Sequence, residues 1–297
     1  MSLTDAISLE RVLPPEETAV GYLLRLSRPR FWLYLAGPVV VGVTFAADSV
    51  AELFSPLALV LFGYFLLPAN VYLYGINDVF DADVDATNPK KDDREVRYEG
   101  SRLVVAAVAL TGLGGLAFVP YFALRGQYGA ALVVLAYLFL ATEYSAPPLR
   151  FKTTPFLDSA SNGLYVLPAV LAWTAIEGSL PPAGAVVGGW LWTMGMHTFS
   201  AIPDIEPDRE AGIRTTATVL GERNTYRYCA ATWLLAAAVF ATVHSFFTTL
   251  LLLYPLLVFG IALSEVDVDD AYWWYPVINT ATGTVITMAG LWVLLHG

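Results

Sequence analysis

The sequence predicts an all-α membrane protein, a bundle of nine transmembrane helices, and three observations predict it. The first is composition: the 297 residues are 57% hydrophobic and 14% charged, with a mean hydropathy of +0.59. Ordinary globular chains carry about 25% charged residues, so this chain cannot cover a surface of its size with polar side chains and belongs in a bilayer. The second is that apolar residues gather into runs long enough to cross a hydrocarbon core of about 30 Å, which takes about 20 residues of helix. The third is that the cationic residues fall almost wholly on one side of those runs.

The runs lie at about 31–47, 53–76, 103–123, 128–146, 160–176, 183–202, 229–246, 248–263 and 275–295. The seventh and eighth share one apolar stretch, divided near His244 to Thr249 because a single helix there would be too long. Residues 1–30 are polar and charged, without the short apolar region and small-residue site of a cleavable signal peptide. They form a cytoplasmic segment ahead of a single transmembrane domain over 31–297. Backbone groups in lipid must be satisfied within each segment, which leaves helices and excludes an open sheet. Gly112, Gly114, Gly115, Gly184 and Gly188 permit close helix approach. Pro38, Pro68, Pro168 and Pro255 predict local kinks or breaks.

Nine crossings put the N-terminus and the even-numbered loops on one side. Of the 16 Lys and Arg residues, all but Arg125 fall there, so that side is predicted to be cytoplasmic. The net charge of −10 argues against a nucleic-acid partner, which calls for a basic face. An acid-rich chain with few lysines suits a high-salt cytoplasm, where screening makes self-repulsion cheap. The single Cys229 excludes a disulfide framework and any multi-cysteine metal site.

Chemistry concentrates at three places on the cytoplasmic side. The second run ends in Asn77-Asp78-Val-Phe-Asp81-Ala-Asp83-Val-Asp85. Spacings of three and four put Asp78, Asp81 and Asp85 on one helical face. Such a cluster is either a solvated acidic helix end or a site for a hard divalent cation, and Mg²⁺ suits it by bridging carboxylates to substrate phosphates. A second cluster, Asp204-Ile-Glu-Pro207-Asp208, follows the sixth run and favours the metal reading. Pro207 interrupts a continuous helix there, which puts the pair on a turn or a first helical turn. Between them lies Tyr144-Ser145-Ala-Pro147-Pro148-Leu-Arg150-Phe-Lys152. Arg150 and Lys152 offer positive charge to an anionic leaving group or merely follow the positive-inside rule. Arg28, Lys90, Lys91 and Arg94 allow the same two readings.

These motifs resemble the UbiA superfamily of intramembrane prenyltransferases. The likeness rests on N-D-x-x-D-x-x-x-D from Asn77, Y-S-x-P-P-x-R-x-K from Tyr144, and D-x-x-x-D from Asp204 followed by Gly212 and Thr215, and it extends to the Arg28-Pro29 entry. It implies a nine-helix bundle with a central cavity opening at the cytoplasmic face. Asp81, Asp85, Asp204 and Asp208 would hold Mg²⁺ and serve catalysis together with Tyr144. Asn77, Asp78, Arg28, Lys90, Arg94, Arg150, Lys152 and Asn162 would bind substrate. Within the superfamily, Asn88-Pro-Lys-Lys and the stretch from Pro155 through Asp158 and Asn162 to Tyr165 are most similar to the carotenoid branch, the lycopene elongases, some archaeal members of which also hydrate the adjacent double bond. That implies dimethylallyl diphosphate as donor and lycopene as acceptor within the lipid bilayer.

Loss of diphosphate leaves an allylic cation that must be shielded from water, so an apolar cavity with aromatic faces is expected. Tyr72, Tyr74, Tyr144, Tyr165 and Phe199 lie near the motif ends. Asp158 and Asn162 offer polar contacts, with Asp158 equally placed to cap the fifth helix. Hydration requires a water delivered to a tertiary cation, and no sequence feature names its guide; His197 reads as a base or as helix packing. The rival functions are transfer to a glycerol phosphate ether or a quinone ring, and, in another class, cation transport. Transporters place ionisable groups near the bilayer midplane, whereas these carboxylates gather at one face. Asp267, Asp269 and Asp270 read as a solvated loop.

Overall fold

Helix is the only regular structure among the described residues, as backbone in lipid requires. The computed structural model describes residues 13–85, 100–264 and 266–297, with backbone alone over 81–85. Lys90, Lys91 and Arg94 lie outside the described residues.

The chain enters through α1 (Ala19–Leu26), capped by the Thr18 hydroxyl, which accepts from Gly21 N–H at 3.0 Å. Arg28, in the left-handed region at φ 51°, turns it through Pro29–Phe31 into α2 (Trp32–Ala46). Helix α2 runs through Pro38 without a break. The other three expected breaks are found: Pro68 opens α4 (Pro68–Asp85) just after α3 (Pro56–Leu66), and Pro168 and Pro255 sit in the first turns of their helices, where a missing N–H costs nothing. Next come α5 (Arg102–Leu116), α6 (Phe118–Leu124) and α7 (Tyr128–Glu143).

The stretch expected as one helix over 160–176 is discontinuous. It comprises α8 (Leu157–Ser161), a 3₁₀ turn at Asn162–Tyr165 and α9 (Leu167–Glu177), because Pro168 cannot donate to the preceding turn. After α10 (Ala183–Ser200) come two short helices, α11 (Ile205–Glu210), which holds the second acidic motif, and α12 (Thr216–Leu220). Gly221, at φ 71°, ends α12 and lets α13 (Glu222–Phe240) begin before its apolar run. The divide expected near His244 falls there: His244 Nδ1 accepts from Phe246 N–H at 3.1 Å and starts α14 (Ser245–Leu251). Helices α15 (Leu253–Leu263) and α16 (Val268–His296) complete the chain.

Among the described residues, five stretches are long and apolar enough to cross a bilayer: Pro29–Ala46, Val50–Phe80, Arg102–Leu124, Ser245–Leu263 and Val268–His296. Their outward faces are apolar, with Leu110 69% and Leu256 68% exposed, which is a surface for lipid rather than water. Two cores hold the bundle. One joins Leu35, Val39, Leu61, Phe65, Tyr137 and Leu171 from its first half. The other joins Phe199, Cys229, Trp233, Tyr254 and Tyr275 from its second. Lipid tails are as apolar as these side chains, so close packing rather than water exclusion must hold helix to helix. Gly188 shows how: a Cβ there would lie 2.6 Å from the Phe240 ring on α13.

Arg30 ties the two ends of the chain together. Its guanidinium stacks 3.4 Å from the Trp273 ring centroid and donates to the carbonyls of Trp273 (2.7 Å) and Tyr272 (3.4 Å) on α16. The Tyr272 carbonyl would normally accept from residue 276, which is proline, so Arg30 supplies a donor that the helix lacks.

Candidate active site

The site starts from Asn77 on α4. Its side-chain oxygen accepts from the Ser145 hydroxyl at 2.8 Å and from the Lys152 ammonium at 3.1 Å. Lys152 N–H also donates to the Tyr144 carbonyl at 3.0 Å, closing the loop after α7 onto itself. Arg150 occupies the left-handed region at φ 41° and donates to the Phe80 carbonyl at 3.2 Å. The first motif and the cationic loop are thus one hydrogen-bonded unit. Ser145 is part of it, and its place beside Tyr144 in the loop motif is the sequence signal for that role.

Asp78, 2% exposed, faces α1's exit: Arg28 approaches its carboxylate at 3.4 Å and lies 4.7 Å over the Tyr74 ring. Arg28, Arg150 and Phe156 are the non-glycine residues with positive φ among those described. Such conformations persist where the surroundings impose them, commonly at functional sites.

The continuous α4 keeps Asp78, Asp81 and Asp85 on one helical face, as their spacing predicts. The side chains of Asp81 and Asp85 lie outside the described atoms, and no cluster of three metal-ligating side chains occurs among the described residues. On the second motif, Asp204 immediately precedes α11 and Asp208 lies in its first turn, with Asp208 N–H donating to the Asp204 carbonyl at 2.8 Å. Pro207 fits as the third residue of that helix, so the two half-buried carboxylates sit one turn apart. Arg209 fixes α11 to α12 by donating to the Thr218 carbonyl at 3.0 Å. The donor set is all oxygen and suits a hard divalent cation. Asp78 is paired with Arg28.

His197 links the two halves. Its ring meets the Tyr144 ring edge-on at 5.9 Å between centroids, and it lies within electrostatic reach of Asp158 and Asp204. Asp158 does not cap the fifth helix. Its carboxylate accepts from the N–H (2.8 Å) and the hydroxyl of Thr216, so it caps α12 instead and pins the loop that follows Asp208. Asn162 is buried and donates to the Asp158 carbonyl at 2.6 Å, one turn back.

Beneath Asn77 and Asp78, one helical turn down α4, aromatic rings converge. Phe31 lies 5.2 Å from Tyr34 and 6.2 Å from Tyr74, Tyr34 stands edge-on to Tyr165 at 6.2 Å, and the Tyr74 and Tyr165 hydroxyls are 3.5 Å apart. Tyr74 and Tyr165 were expected here; Phe31 and Tyr34 were not, although they lie three and six residues after Arg28. Two other expected aromatics pack elsewhere. Tyr72 bonds Thr142 at 2.7 Å between α4 and α7, and Phe199 is buried against Tyr275. The arrangement can grip an anion at its polar rim and enclose a cation between ring faces.

The model of the UbiA prenyltransferase family matches residues 35–270. The chain is 64% identical over 290 residues to a lycopene elongase/hydratase of Haloarcula japonica, covering 97% of each chain. It is 63% identical over 276 residues to one of Halobacterium salinarum, covering 93% of this chain and 99% of that relative. In fold it is similar to a UbiA homologue of Archaeoglobus fulgidus bound to GPP and Mg²⁺, with a TM-score of 0.66, 22% identity, and 91% and 99% of the two chains covered. The chain belongs to the UbiA prenyltransferase family.

Proposed function

We propose that this prenyltransferase transfers a C5 prenyl group from dimethylallyl diphosphate to the ends of lycopene and hydrates the adjacent double bond. The observation that carries the reading is the joint at Asn77, where the aspartate motif, the Lys152 loop and the aromatic rings meet within one turn of helix. The near-full-length relatives named lycopene elongase/hydratase support the choice of acceptor.

In this reading the chain crosses the membrane nine times, residues 31–297 form one transmembrane domain, and the motifs face the cytoplasm with residues 1–30. Asp81, Asp85, Asp204 and Asp208 would hold Mg²⁺, which would supply positive charge to the departing diphosphate. Arg150 and Lys152 add fixed positive charge at the same rim, with Lys90 and Arg94 as further cations for the diphosphate. Asn77 holds Lys152 in place, and Arg28, anchored by Asp78, closes the site toward α1. Tyr144 borders the reacting carbon. The ring faces of Tyr74 and Tyr165 stabilise the allylic cation and exclude water until the terminal alkene of the acceptor attacks. Asn162 shapes the wall beside Tyr165.

Expression in cells that accumulate lycopene tests this. Carotenoids heavier by one and two C5 units are expected; prenylation of a quinone or a glycerol phosphate ether, with lycopene untouched, would contradict it.

A further inference from the structure

Hydration needs a water beside the cation that forms on the acceptor, yet absent from the allylic cation that precedes it. The ring cluster contains one hydroxyl suited to that task. Tyr34 on α2 is half-buried, and its oxygen accepts from the Asn279 amide at 3.0 Å. Asn279 in turn accepts from the Tyr254 hydroxyl at 2.8 Å, and Tyr254 lies 3.2 Å from the Thr282 hydroxyl. Three helices, α2, α15 and α16, therefore contribute to a polar chain within apolar surroundings. Such chains hold helices together, and polar groups within a membrane also gather where function needs them. This one ends on Tyr34, whose own O–H has no acceptor among the described residues.

The position of Tyr34 in the cluster matters. Tyr74 touches Arg28 and so adjoins the aspartate motif. Tyr34 instead contacts Phe31 and Tyr165, the rings that adjoin Tyr74, and so stands one ring further from Arg28 than Tyr74 does. The first cation forms where diphosphate leaves, near Tyr74; the second forms on the acceptor carbon adjacent to the new C–C bond, farther along the cluster.

We infer that the Tyr34 hydroxyl, anchored by Asn279, holds the water that captures the second cation. The inference rests on the prenyl-transfer reading above. The alkene carbon of lycopene bonds to the C5 unit as its C–O bond to diphosphate breaks, leaving a tertiary cation on the neighbouring carbon. The water donates its lone pair to that carbon, a C–O bond forms, and the proton it loses ends on an oxygen of the released diphosphate. Tyr34 is a positioning residue: it donates one hydrogen bond to the water and leaves the second lone pair free to attack. Without it, the cation would resolve by losing a proton from an adjacent carbon, giving an elongated product lighter by one water.

The test uses the purified full-length protein with lycopene, dimethylallyl diphosphate and Mg²⁺ in ¹⁸O-water, with products read by mass. Wild type should add one ¹⁸O for each C5 unit. Tyr34→Phe, which keeps the ring, should still elongate while its hydroxylated fraction falls by at least about tenfold, as expected for loss of one well-placed hydrogen bond. Asn279→Leu, which frees the Tyr34 hydroxyl without touching the ring, should shift the products the same way. Unchanged hydroxylated fractions in both variants would overturn the inference, as would equal losses of elongation and hydration in both. Wild type that elongates without taking up ¹⁸O would overturn it and leave the elongase reading standing; wild type that adds no C5 unit would sink both.

Discussion

Asp158 on α8 caps a helix 58 residues away, its carboxylate accepting from both the N–H and the hydroxyl of Thr216. The same hydroxyl accepts from Phe156 N–H at 2.7 Å. The loop from Asp208 to Thr215 is therefore anchored to the discontinuous helix that borders the aromatic rings. Asp158 is 1% exposed, so removing its carboxylate strands a buried donor pair. Asp158→Ala should destabilise the protein by about 2 kcal/mol and lower turnover by displacing Asp208. A thermal melt in detergent with a parallel activity assay checks this; unchanged melting and turnover would show that the cap is dispensable.

The carboxylates assigned to Mg²⁺ should behave differently. On the proposed reading, Asp81→Ala and Asp208→Ala each remove a metal ligand, so turnover should fall by about a thousandfold or more. Stability should move by no more than about 0.5 kcal/mol. Full activity in either variant would rule out the two-motif site.

Asn77 joins the first motif to the cationic loop through a single oxygen. Asn77→Ala leaves Ser145 and Lys152 without their shared acceptor, and the expected result is a KM for the diphosphate donor raised by about tenfold. Lys152→Ala should raise it further, since it also removes the charge. A KM unchanged in both would mean that the loop does not meet the donor.

How much of this was legible in the sequence depends on what each residue does. The apolar runs exposed the helical membrane fold, because a lipid core imposes a minimum length on every crossing helix. The motif pairs exposed the rim of the site, because like charges at helical spacing require a partner. Other features depended on contacts between residues far apart in the chain. Asp158 looked like the cap of its own helix because its partner, Thr216, is named only by the fold. Phe31 and Tyr34 carried no motif, and only the fold brings them against Tyr74 and Tyr165. The break at Asn162–Tyr165 was hidden inside a run apolar enough to read as one crossing.

Arg30 offers a test of the bundle itself. It satisfies a carbonyl that Pro276 leaves open and stacks on Trp273. Arg30→Lys keeps the charge but loses the planar fork, so it should destabilise almost as much as Arg30→Ala, by about 2 kcal/mol. Full stability in the lysine variant would show that charge alone suffices.

Arg125, exposed and 4.8 Å from the Tyr121 ring, is placed by the proposed topology on the face opposite the motifs. Arg125→Ala should leave turnover within about twofold of wild type, as expected of an exposed position. A large loss of turnover would mean that the crossings are wrongly ordered.

The most direct measurement is carotenoid mass from the purified protein in lipid vesicles with lycopene and dimethylallyl diphosphate, with Mg²⁺ or with a chelator. The account predicts products heavier by one and two C5 units with Mg²⁺, and none with chelator or in Asp81→Ala. Lycopene left unchanged in the presence of Mg²⁺, or C5 transfer that persists under chelation, would contradict it.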